Sequence, residues 1–155
     1  MMDQTSFNLS SPVGWRASLA RSCILIIAAF YTYGAAVHVM NMLSLTGFDW
    51  ASSPVKWQVL DWVYLLLDVI VAIGLVLNWT IGFVSFFCAA ISQIVLYTVF
   101  RTWIVDVPAA FQRSSEELAY LDTLVIFHCV TIVVMIVCLS VSSGTDSSKS
   151  SNRGQ

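Results

Sequence analysis

A few ionisable or strongly polar side chains stand inside stretches that are otherwise almost wholly apolar. Asp68 lies in VYLLLDVIVAIGLVL, His38 in CILIIAAFYTYGAAVHVM, Gln93 and Tyr97 in FVSFFCAAISQIVLYTVF, and His128 in TLVIFHCVTIVVMIVCL. A carboxylate among imidazoles can move protons, ligate a metal or hold the polar end of a ligand. His38 and His128, on separate helices, could be the axial ligands of a haem. With Asp68 as third ligand the same pair could hold a divalent metal. His128 and Tyr97 around an apolar slot would suit a quinone. A desolvated carboxylate beside a histidine would suit an acid/base enzyme acting on a lipid. HExxH, GxSxG and a phosphate loop are all missing from the sequence, so no catalytic motif selects among these chemistries.

The elements that carry these residues must be membrane helices. A span needs about 20 mostly apolar residues, and four stretches qualify: residues 19–45, 57–78, 81–103 and 120–141. Ser53-Pro54 reads as an N-cap with proline at the first helical position. Ser114-Ser115-Glu116-Glu117 reads as a capping box. Trp50, Trp57, Trp62, Trp79, Trp103 and Tyr120 fall near the boundaries, where amphipathic rings favour the interface. Residues 78–80 leave room only for a tight antiparallel hairpin, and the loops 46–53 and 104–114 fall on the other side of the membrane.

At about 1.5 Å of rise per residue, the polar side chains share the outer half of the bilayer, the half away from that hairpin. Trp57, Asp61, Tyr64 and Asp68 recur on one helical face, as do Gln93, Tyr97 and Arg101. Gly34, His38 and Asn41 share a face, and so do Leu124, His128 and Thr131. Pointing all four stripes inward gives a site of Asp68, His38, His128, Gln93, Tyr97 and Arg101. An aspartate at mid-helix costs about 2.5–3.5 kcal/mol on insertion scales, so Asp68 must be protonated, paired or hydrated. Asp61 reads as a solvated helix end. The competing reading makes the polar stripes interhelical glue, at roughly 0.6 kcal/mol per hydrogen bond.

Composition agrees with lipid as the solvent. The chain of 155 residues is 58% hydrophobic and 10% charged, against about 25% charged in soluble domains. Net charge is −2 with no basic run, which argues against nucleic acid. Cys23, Cys88, Cys129 and Cys138 lie singly in apolar stretches and read as fillers rather than a disulfide framework or zinc ribbon. Arg16, Arg21, Lys149 and Arg153 on one side face Lys56, Arg101 and Arg113 on the other, a bias that places both termini in the cytoplasm.

The glycine-containing first span YTYGAAVHVM, a loop, and the LLLDVIVAIGLVLNWTIGF hairpin resemble the DoxX-like group of small four-helix membrane proteins, over about residues 31–99. That resemblance implies an accessory membrane subunit of a quinone-linked redox complex and carries over no residue role. The chain is also similar to the sterol-isomerase and sigma-2-receptor group, whose carboxylates do not align with those here. That likeness would make Asp68 and His128 lipid-facing acid/base groups.

The expectation is an all-α, integral-membrane antiparallel four-helix bundle over 19–142, with a polar segment at 1–18 and a disordered tail at 143–155. Its polar site would take a quinone-like or other small ligand. The alternatives are a structural or assembly subunit packed against other membrane subunits, and a lipid-modifying acid/base enzyme.

Overall fold

The structure is a computed structural model describing the backbone of residues 14–151 and side chains as far as residue 141. Five helices follow in order: α1 (Trp15–Met42), α2 (Val55–Val76), α3 (Thr80–Thr98), α4 (Arg101–Val105) and α5 (Ser115–Ser151). All but the short α4 are long and apolar enough to cross a bilayer. The protein is therefore an all-α, multi-pass membrane bundle. Leu25, Ile26, Leu66, Val84, Val133 and Ile136 turn outward, the inverse of a water-soluble surface and the arrangement lipid favours.

The helices form a ring in which α1 packs on α2, α2 on α3, and α5 on both α3 and α1. Sequential spans are antiparallel: Arg21 and His38 meet Leu75 and Asp61 in reverse order, as Gly74 and Tyr64 meet Gly82 and Ser92, and as Gln93 and Arg101 meet His128 and Leu118. Near the α2–α3 turn the ring is filled by Ile24, Ala28, Val71, Leu75, Phe86 and Met135. A second, smaller cluster of Tyr64, Leu96 and Ile104 closes the other end. Asp68, Gln93 and His128 lie between the two, and Asp61 lies at the loop end beside Tyr64.

Local chemistry explains where the helices stop. Asn78 takes a left-handed φ of 58°, and Trp79 N–H donates to Gly74 O at 2.7 Å. This C-terminal motif turns the chain within the hairpin. Ser44, with φ 57°, does the same for α1, Leu45 N–H donating to Met40 O at 2.9 Å. The hairpin closes tightly because Gly74 and Gly82 let the α2 and α3 backbones touch; a Cβ on Gly82 would lie 2.6 Å from Leu75 N. The Arg21 guanidinium caps the end of α2, donating to Leu75 O at 2.9 Å and Val76 O at 2.6 Å. At the start of α5 the expected capping box forms: Glu117 N–H donates to Ser114 Oγ at 3.2 Å, and Ser114 N–H to Glu117 Oε2 at 2.8 Å.

Several boundaries differ from expectation. α1 begins at Trp15, inside the segment expected to precede it. Residues 1–13 of that segment lie outside the described residues. Pro54, not Ser53, is the N-cap of α2, and the Ser53 hydroxyl donates to Trp50 O instead, at 2.7 Å. The third span ends at Thr98, and α4 follows as a separate turn of helix. At the C-terminus the α5 backbone continues to Ser151 through the segment expected to be disordered, of which residues 152–155 lie outside the described ones.

Candidate functional site

The site is built from two polar groups on opposite sides of the ring. The first joins α1 to α2. Asp61 is buried, and its carboxylate accepts from three donors: His38 Nδ1 at 2.7 Å, Asn41 Nδ2 at 3.0 Å and Trp50 Nε1 at 2.9 Å. His38 and Asn41 sit three residues apart on α1 and reach the same oxygen. Trp50 comes from the short 3-10 turn Trp50–Ser52, so the loop between α1 and α2 is pinned into the bundle. Asp61 is therefore not the solvated helix end expected of it; three donors replace its water.

About two turns deeper on the same face of α2, Asp68 is 3% exposed. Its Oδ2 faces His38 Nε2 at 3.8 Å, beyond hydrogen-bond length, and its Oδ1 has no hydrogen-bond partner. Gly34 makes room for this carboxylate, because a Cβ there would collide with Asp68 Oδ2. The His38 ring also stacks on Tyr64, with centroids 6.2 Å apart, so its orientation is set by Asp61 on one edge and by an aromatic face.

The second group joins α3 to α5. His128 Nε2 and Gln93 Oε1 are 2.6 Å apart, and both residues are buried. His128 Nδ1 has no partner. Tyr31, on α1, lies against the His128 ring at 6.4 Å between centroids, and its hydroxyl is likewise buried without a partner.

Between the two groups lies a cavity of about 730 Å³. His38, Asp61, Asp68, Gln93, Tyr97 and His128 line it, as do Tyr31, Gly34 and Tyr64. The rest of its wall is mainly apolar and includes Phe30, Val37, Leu96, Leu124 and Phe127. The cavity reaches the lipid-facing side between α1 and α5, where its lining residues Tyr33 and Tyr120 are exposed. Phe30 and Phe127 meet edge-on across this gap at 5.1 Å. Its far end touches the loops, where Arg113 pairs with Glu117 at 2.6 Å and covers the Trp57 ring at 4.5 Å.

Five of the six expected site residues thus meet in one place: His38, Asp68, Gln93, Tyr97 and His128. Arg101 does not join them. The helix breaks after Thr98, which takes Arg101 off the Gln93–Tyr97 face and turns it to Asp122, its Nη2 lying 3.2 Å from Asp122 Oδ2. The metal set of His38, His128 and Asp68 is not assembled either. His38 belongs to the Asp61 group and His128 to Gln93, and among the described residues no three His, Cys, Asp or Glu side chains group as metal ligands. Haem ligation by the same pair would need Asp68 displaced from in front of His38 Nε2, and would have to use Nδ1 of His128, since Gln93 takes Nε2. Asn41 serves as the interhelical hydrogen-bonding residue its place on the polar stripe suggested, whereas sequence reasoning missed the roles of Trp50 and Tyr31. Trp50 looked like an interfacial ring, and nothing in its spacing shows that a loop folds its indole inward.

Fold and site together define a small polytopic membrane protein, a four-helix bundle with a polar-lined cavity between its helices. Compared with protein families, curated proteins and solved structures, the chain matches none.

Proposed function

We propose that this protein binds a small, mostly apolar molecule drawn from the bilayer, seated among the four helices with its polar end at Tyr31, Asp68 and His128. The observation that carries this reading is the convergence of three partnerless buried polar groups, Tyr31 Oη, Asp68 Oδ1 and His128 Nδ1, on residues lining one cavity. Each such group costs about 1–3 kcal/mol unless something bonds to it. Packing alone gives no reason to collect three of them around one space. Small-molecule sites are mostly apolar, with a few convergent polar groups, and commonly enclose about 300–1,000 Å³; this cavity has that character and size. Its opening between α1 and α5 suits a ligand that arrives through lipid. The DoxX-like resemblance would place such a site in an accessory subunit of a redox complex, whereas the ligand-site reading rests on the side chains themselves.

The test is the melting temperature of the purified protein in mild detergent against a panel of membrane-soluble small molecules. A binder present at a hundred times its Kd stabilises by about 2.7 kcal/mol. Leu124→Trp, which fills the cavity from α5, is expected to abolish the shift and keep the fold. If no molecule shifts the wild type and Leu124→Trp is simply more stable, the cavity is a packing defect and the proposal falls.

A further inference from the structure

We infer that the ligand sits with its polar end at the middle of the bilayer, inverted relative to a membrane lipid, and that this end carries no fixed charge; the inference rests on the ligand-site reading above. His128 stands thirteen residues from each end of the span Ser115–Val141, about 20 Å at 1.5 Å of rise per residue. Tyr31 and Asp68 lie within three residues of the middle of α1 and α2. Gln93 meets His128 at 2.6 Å, so α3 contributes at the same depth. The hydrocarbon core is about 30 Å thick, and these four side chains gather near its centre, far from water on either side.

Access to them is through lipid. Between α1 and α5 the cavity is open at Tyr33 and Tyr120, both exposed. The edge-on pair Phe30 and Phe127 at this gap lies within two residues of the middle of the spans. At the loop end, Phe48 and Phe111 meet Trp57 edge-on at 6.1 and 6.2 Å, and the Arg113 guanidinium covers Phe48 and Trp57 at 5.4 and 4.5 Å. Phe48, Trp57, Arg113 and Glu117 line both the cavity and a separate hollow of about 160 Å³ among the loops, so they form the partition between the two. A head group bound for Asp68 and His128 therefore travels through hydrocarbon, where a fixed charge is strongly disfavoured. The deep end asks for no ion. The Gln93 amide and the Tyr97 hydroxyl bring donors, Asp68 brings acceptor oxygen, and Tyr31 and His128 can serve either way. One proton held between Asp68 and His38, 3.8 Å apart, makes that pair neutral whichever side chain carries it. Hydrogen-bond polarity thus does not select the head, and charge does. Alcohols, ketones and quinones on apolar bodies belong to this class; fatty-acid carboxylates and phospholipids do not.

The test uses the full chain in nanodiscs. One probe is a long-chain alcohol with a photoactivated diazirine beside its hydroxyl. Labelling is expected on α1 near Tyr31 and on α5 near His128, and excess unlabelled alcohol should suppress it. Suppressible labelling at Trp57, Arg113 or Glu117 instead would put the head at the loops and overturn the inverted placement. A second comparison keeps the chain and changes the head to a ketone, a quaternary ammonium or a sulfonate. The alcohol and the ketone are expected to raise the melting temperature at concentrations about tenfold or more below the two ions. An ion that suppresses the label as well as the alcohol does overturns the uncharged class. Either reversal leaves the ligand site standing. Where another membrane-soluble molecule binds better than the alcohol, the same label and the same change of head are made on its skeleton. If no labelling is suppressible and no such molecule shifts the melting temperature, the inference and the ligand site fall together.

Discussion

Two aspartates seven residues apart on α2 have opposite circumstances. Asp61 accepts from three donors drawn from α1 and the following loop, whereas Asp68 has a neighbour in His38 but no hydrogen bond at Oδ1. Asp61 is the structural residue of the pair, and Asp68 the one on which the proposed ligand site rests. Asp61→Asn replaces one accepting oxygen by an N–H group that must face a donor, and is expected to destabilise the protein by about 1.5–3 kcal/mol, the range for hydrogen bonds to a charged group. Asp68→Asn is expected to change stability by less than about 1 kcal/mol, because it breaks no hydrogen bond within the protein. Unfolding of both variants in the same detergent checks the contrast. Equal losses would mean that Asp68 also holds helices together.

At the scale of elements, α2 is the helix on which the bundle is organised. It meets α1 through His38, Asn41 and Arg21, and α3 through the Gly74–Gly82 approach and the Tyr64 hydroxyl, which donates to Ser92 Oγ at 3.2 Å. Its N-terminal turn also gathers the loops: Lys56 Nζ donates to Asp106 O at 2.5 Å, and Trp57 Nε1 to Ile104 O at 3.0 Å. Gly82→Ala would force apart two backbones in contact, and is expected to cost roughly 1–3 kcal/mol, as overpacking does. Glu117→Ala removes half of the α5 capping box and is expected to cost about 1 kcal/mol. Equilibrium unfolding of each variant tests these values. A neutral Gly82→Ala would show that α2 and α3 part without penalty.

At the scale of the molecule, the ring is closed by helix pairs of unequal character. At the α2–α3 turn, glycine meets glycine and aliphatic side chains fill the centre. In the other half, polar and aromatic side chains join aliphatic ones around a cavity that opens between α1 and α5. The four spans bring the start of α1 and the end of the α5 span to the side of the α2–α3 turn, and the loops 43–54 and 99–114 to the other. The charge bias proposes the cytoplasm for the former side. Gly47→Cys and Gln112→Cys should then react with a membrane-impermeant thiol reagent added outside intact cells, and Asn78→Cys should not, in a background whose native cysteines are replaced by serine. The opposite pattern would invert the orientation and leave the fold untouched.

The sequence by itself determined the solvent, the number of spans and the polar stripes. Hydrophobic length and the spacing of Trp57, Asp61, Tyr64 and Asp68 along one helix are local properties, readable before any helix meets another. The capping box at Ser114 and Glu117 was legible for the same reason. Periodicity also brought His38, Asp68, Gln93, Tyr97 and His128 towards one interior. It misplaced Arg101, because repeating the α3 period past Thr98 assumes a helix that in fact breaks. Only the tertiary structure decided which polar groups satisfy one another. Partnership depends on the register between helices and on where a loop puts its side chains, and neither is a function of local spacing. That is why Asp61 has three donors, why His128 turns one nitrogen to Gln93, and why Asp68 Oδ1, Tyr31 Oη and His128 Nδ1 are buried without a hydrogen-bond partner.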